Sequence, residues 1–289
     1  MLEKITGQSN FQKQSKSTNV RNNYTRHSLE RSPNADKISL SKNTKTLIAL
    51  TGIATGILGI ILGSNKTYTN QKTKELEKIE HKFLKLQNKL SEVQKTFQKV
   101  FLRDITEEET IKMLERYKDI EKIAVTGTKE EYMLAMFNEA KKNYQLEELP
   151  SELKIVNKPI MGDEKILGFT NPLGDITIKS TIKHRKIIDT IHHELRHLKQ
   201  RQYAFNLSPE EYVKYNQPKN GTIPQEVFEY ALGKVDLSDI PVEHTKFAQN
   251  SQKGVLSYRS VKDNTNDYFT QWIEQDAYNA GQEIAKLFN

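Results

Sequence analysis

Eighteen consecutive residues without a charge, Thr46 to Gly63 (TLIALTGIATGILGIILG), stand in a chain where 28% of residues are charged and the mean hydropathy is −0.71. No other stretch narrows the architecture as much. A segment this apolar satisfies its backbone groups in lipid only as a helix. Its length is at the short end of a spanning helix, and a buried soluble helix is rarely so free of polar side chains. The expectation is a single-pass transmembrane helix over 46–63. A cleaved signal peptide fits poorly, because the run begins far into the chain and lacks a small-residue cleavage site. Gly52, Gly56, Gly59 and Gly63 recur at spacings of 4, 3 and 4. They share a helical face on which two backbones could approach and self-associate.

The flanks divide the chain of 289 residues further. Residues 1–45 are rich in Ser, Thr, Asn, Lys and Arg without apolar period, which reads as a disordered basic tail. Residues 1–103 hold 19 Lys/Arg against 7 Asp/Glu, whereas the remainder holds 25 against 30. The basic excess adjoins the apolar run, so membrane lipid is its expected partner. No nucleic-acid motif is present to suggest another. The tail carries 9 Lys/Arg and residues 64–103 carry 10, so membrane orientation stays undetermined.

From Leu76 to Val100, Leu76, Ile79, Phe83, Leu86, Leu90, Val93, Phe97 and Val100 alternate at spacings of 3 and 4. These are heptad core positions, and residues 70–103 are expected to form a coiled-coil stalk roughly 50 Å long at ~1.5 Å per residue. The alternative is that the stripe packs on the following domain. Homo-oligomerisation through residues 76–100 and the glycine face would follow from the first reading.

Residues 104–289 are expected to fold as an α+β domain with a small sheet. Thr106 with Glu109, and Thr128 with Glu131, match capping boxes opening two helices before Pro150. LKIVN, KILGFT and DITIKS then read as strands, the last two around the turn Asn171–Gly174. Helices follow at about 183–205, from Ser208, and at about 267–288, with 216–264 lacking a clear period.

The chain has no cysteine, so a metal would have to be held by histidine and carboxylate. IIDTIHHELRHLKQ contains His193-Glu194-Leu195-Arg196-His197. Two histidines four apart share a helix face and suit one ion, while Glu194 sits about 100° round the helix, free to act on water. In a chain with 7 histidines the pattern arises by chance roughly once in a hundred such sequences, so context decides. Ile187, Ile188, Ile191, Leu195 and Leu198 give the segment an apolar helical face. In the last helix Glu274 has Ala277, Tyr278 and Gly281 nearby on its face, which is small enough to pack on the active helix. Glu274 would then be a third ligand beside His193 and His197, leaving a position for water.

With these residues the chain resembles a gluzincin-type zincin metallopeptidase over about residues 150–289. The metzincin continuation is ruled out by Gln200 and Tyr203 after the motif. The resemblance implies Zn²⁺ as cofactor and a zincin-like domain hydrolysing peptide bonds in a peptide or protein substrate. In that chemistry Glu194 activates a zinc-bound water and passes its proton to the leaving amine. It also implies a cleft-edge strand that binds substrate by strand addition, for which Asp175–Lys179 is the candidate. Oxyanion donors would come from His244, Tyr258, Arg259 or Tyr268. Two positions depart from the pattern: Tyr278 replaces an aspartate, and Arg196 brings a charge between the histidines. Asp276 is an alternative ligand or a partner that orients a histidine, and Asp189 either orients an imidazole or favours the helix start. His192 points away and reads as packing, His184 as surface. Two rival functions are a non-enzymatic membrane scaffold and a membrane-active effector carrying a peptidase domain.

Overall fold

Threonine side chains open two of the first helices in the computed structural model, which describes residues 71–236, 242–258, 268 and 270–288. Helix α1 spans Gln71–Phe101, α2 Glu107–Thr126 and α3 Lys129–Asn143. Thr106 Oγ1 accepts from the Glu109 N–H at 3.1 Å. Thr128 Oγ1 accepts from Glu131 at 3.1 Å while Glu131 Oε2 accepts from the Thr128 N–H at 2.7 Å. Thr128 and Glu131 thus satisfy both ends of a capping box, as their spacing implies. Glu109 instead turns to Arg103, at 2.7 Å.

The heptad stripe of α1 divides in two. Leu90, Val93, Phe97 and Val100 are buried in the main core, with α1 packed on α2 and on the last helix. Ile79 and Phe83 remain 36% and 38% exposed. The second half of the seam is therefore a wall of the domain, and the turns around Ile79 and Phe83 stand clear of it.

Three short strands follow: β1 Leu153–Val156, β2 Gly168–Thr170 and β3 Ile176–Lys179. Their order is β1-β3-β2, with β1 parallel and β2 antiparallel to β3. The hairpin between β2 and β3 is built by Asn171, whose Oδ1 accepts the N–H groups of Leu173 and Asp175 at 2.9 and 3.0 Å. Gly174, at φ 85°, occupies the left-handed position that closes the turn.

Helix α4 (Ile187–Leu207) runs through the centre, buried on almost every side. Around it lie α5 (Pro209–Tyr215), α6 (Gln225–Leu232), α7 (Val242–Leu256) and α8 (Trp272–Phe288). The pairing of α4 with α8 is especially close. A Cβ added at Gly281 would lie 2.4 Å from the Asp189 carbonyl oxygen, so only glycine lets the backbones meet there. That crossing brings the first turn of α8 to the middle of α4.

Two expectations are corrected. The expected α+β class with a small sheet gives way to a mostly helical fold: 67% of the described residues are helical, and the sheet is a three-stranded appendage. Its strands are only three or four residues long, too short to make a layer of their own. The single-pass membrane architecture is also corrected: among the described residues no helix is long and apolar enough to cross a membrane. Each of these helices carries charged side chains that lipid would not accept. The tail 1–45, the segment 46–63 with its glycine face, and Arg259 lie outside the described residues.

Candidate metal centre

Three residues of α4 (His193, Glu194 and His197) and one of α8 (Glu274) make the centre. His193 and His197, one turn apart, turn their Nε2 atoms to within 3.0 Å of each other. Glu274, in the first turn of α8, places Oε2 3.5 Å from His193 Nε2 and 3.4 Å from His197 Nε2. The three atoms form a nearly equilateral triangle. Ligands held ~2.0–2.1 Å from a tetrahedral ion lie about 3.4 Å apart, so the triangle has the size of three ligands round one small ion. These residues form a group able to hold a metal ion.

The electrostatics fit the same role. Glu274 is only 4% exposed, and its Oε1 has no hydrogen-bond partner among the described residues. Burial alone would raise its carboxyl, but the facing imidazoles of His197 and His193 outweigh that and hold it well below the usual carboxylate range. Burial likewise acts to lower His197, and the charges of Glu274 and Glu194 reverse the effect, so its imidazole is raised. A buried anion set against two imidazoles is a charge arrangement that a cation would complete.

Glu194 lies beside the triangle without joining it. Its Oε2 is 2.8 Å from Thr170 Oγ1, a donor at the end of β2. Gly168, at the start of β2, lies directly over the same carboxylate: an added Cβ would be 2.6 Å from Glu194 Oε1. Sequence reading missed both partners, because nothing local links β2 to a residue 24 positions on.

Asp276 lies outside the metal-capable group. It holds Arg196 through two hydrogen bonds, Nε to Oδ2 at 2.6 Å and Nη2 to Oδ1 at 2.9 Å, and accepts from Gln200 at 2.8 Å. This explains why α4 tolerates a charge at position 196. Asp189 pairs with Lys186 at 2.8 Å in the first turn of α4, the helix-start alternative of its two readings. Tyr278, where an aspartate was expected, is 54% exposed and faces the cleft. His184 is half-buried, with its ring stacked on Tyr132.

His192 packs in the core, as its direction on α4 implies. Phe101, Tyr117 and Tyr144 surround its ring, and Tyr117 Oη lies 3.2 Å from Nε2. Burial pushes its imidazole down to about 3. An unfolded histidine near 6.5 takes up a proton first, so this residue's stabilisation is complete above about pH 6.5 and is lost as pH falls toward 3. In urea titrations of the metal-free protein, wild type is expected to lose about 2 kcal/mol more than His192→Phe between pH 6.5 and 5. Equal losses would show that His192 is not held neutral.

A cleft of about 830 Å³ opens beside the centre, lined by Leu167, Gly168, His193, Glu194, Tyr268 and Tyr278 among others. Ligand sites commonly have this size. A second, small space of about 30 Å³ is lined by the triad with Thr170, Arg201, Tyr258 and Tyr268. Burial, then the adjacent Glu274 carboxylate, push both phenols above their ordinary range, so they stay protonated donors at neutral pH. Of the four oxyanion candidates, Tyr258 and Tyr268 reach the site; His244 does not line it.

The expected substrate edge needs correction. Asp175–Lys179 is essentially β3, whose two sides are already paired with β1 and β2. Among the described residues β2 pairs with a strand on one side only, its Thr170 carbonyl on the other side accepts from Arg201 at 3.3 Å, and Gly168 lines both spaces. No protein-family profile, curated protein or solved structure matches the chain.

Proposed function

We propose that the chain is a zinc-dependent metallopeptidase. The observation that carries this reading is the convergence of His193 Nε2, His197 Nε2 and Glu274 Oε2 at 3.0 to 3.5 Å, with Glu194 alongside. Zinc bound by the triad would supply Lewis acidity, acidifying water and polarising a scissile carbonyl. The rest falls to the protein's own groups. An extended peptide adds to the outer edge of β2, where backbone hydrogen bonds set its register. Glu194 takes a proton from the attacking water and returns it to the leaving amine nitrogen. Thr170 holds the Glu194 carboxylate at 2.8 Å, and Tyr258 and Tyr268, which line the space beside the triad, donate to the developing oxyanion.

The test is zinc content and peptide hydrolysis of the full chain. About one zinc per chain after dialysis is expected by plasma mass spectrometry, with cleavage of an unstructured protein such as casein that a chelator stops and zinc restores. A chain that retains no zinc defeats the proposal and favours a non-enzymatic scaffold.

A further inference from the structure

We infer that Gln200, Asp276 and Arg196 form a positioning relay that fixes the tautomer and ring plane of His197, and that the last turn of α1 anchors it. The inference rests on the metal-site reading above. Gln200 is fully buried, and its Nε2 lies 3.0 Å from the Ile273 carbonyl oxygen and 2.8 Å from Asp276 Oδ2. Both are acceptors, so that atom is the amide NH₂ and the orientation of the side chain is settled. Gln200 Oε1 then faces His197 Nδ1 at 2.8 Å. An amide oxygen only accepts, so Nδ1 carries the proton and the lone pair of Nε2 points at Glu274 and His193.

Each further link is held the same way. Asp276 stays in place because Arg196 grips it with two N–H groups. Arg196 spends a third, Nη1, on the Val100 carbonyl oxygen at 2.7 Å, and its guanidinium lies 4.3 Å from the centre of the Phe247 ring. Helices α1, α4, α7 and α8 thus converge on one imidazole. The relay accounts for a charge at Arg196 and a glutamine at 200, and it takes the orienting role of the two readings given to Asp276.

Full-length Gln200→Met and Asp276→Asn, both close in volume to the native residues, test the relay by chelator competition for zinc. Each is expected to weaken zinc binding by roughly 10- to 100-fold, while far-UV circular dichroism stays that of wild type. Because the residues act in series, the double variant should bind within about threefold of the weaker single variant. Cobalt-substituted protein should show altered visible ligand-field bands in both variants, a signature that loss of stability alone does not produce. If wild type binds zinc and the variants match it within threefold, or if their losses simply add, the relay is overturned and the metal site stands. A wild-type chain that binds no zinc overturns both.

Discussion

Glu194→Gln is expected to leave zinc content unchanged and to lower the rate of peptide hydrolysis by roughly a thousandfold, within the 10²–10⁴ range of general acid–base catalysis. The geometry separates the two quantities. Glu194 is outside the triangle of His193, His197 and Glu274, so its exchange removes no ligand. The amide is isosteric, and its oxygen still accepts from Thr170 Oγ1, 2.8 Å away in the native chain. The side chain is 4% exposed, so replacing a buried charge with a neutral group does not destabilise the fold by desolvation. What disappears is the lone pair that takes the proton. Metal analysis and initial rates on the same preparation check both halves. Full activity in this variant would remove Glu194 from the chemistry and require another base. Loss of zinc would make it a ligand, contrary to its place beside Thr170.

The parts of this arrangement that were legible in the sequence are those set by neighbours along the chain. The capping boxes at Thr106 and Thr128 involve residues three apart; the second formed in full, and the first kept only the Thr106 cap while Glu109 pairs with Arg103. His193 and His197 needed only a helix to share a face, and Ile187, Ile191 and Leu195 supplied it. Glu274 was found because a small-residue face at Gly281 implied a close crossing. Partners set by the fold were not legible. Gln200 looked like any helical glutamine, since its acceptors lie 73 and 76 residues away on α8. The substrate edge was misassigned because sheet order is a long-range property: β3 pairs with strands on both sides and β2 on one only, with its Gly168 at the cleft. The α1 stripe permitted either self-pairing or intramolecular packing, and Phe97 and Val100 took the second. Helices α6 and α7 fell in a stretch without period, where tertiary contacts rather than local pattern decide.

Glu274→Ala is expected to abolish stable zinc binding, while Asp276→Asn only weakens it. Zinc sites draw about 10–16 kcal/mol from their ligand sets, so losing one of three protein ligands costs at least roughly 3 kcal/mol, more than a hundredfold in affinity. The carboxylate matters beyond its lone pair. It is the only anion in the triangle, and the two imidazoles already hold it ionised against the pull of burial. Glu274→Gln separates charge from packing, because it fills the same space with a neutral, weaker donor. Both variants should emerge from dialysis with far less than one zinc per chain. Asp276→Asn, which breaks an orienting contact and not a ligand bond, should retain metal until a competing chelator is added. The alternative assignment of Asp276 as ligand predicts the reverse order. Its two oxygens already accept from Arg196 and Gln200 at 2.6 to 2.9 Å, and it stands outside the group of His193, His197 and Glu274. Zinc lost with Asp276→Asn and kept with Glu274→Gln would therefore mean that α8 turns on metal binding, so that Arg196 gives up its partner and a different face of the helix meets α4.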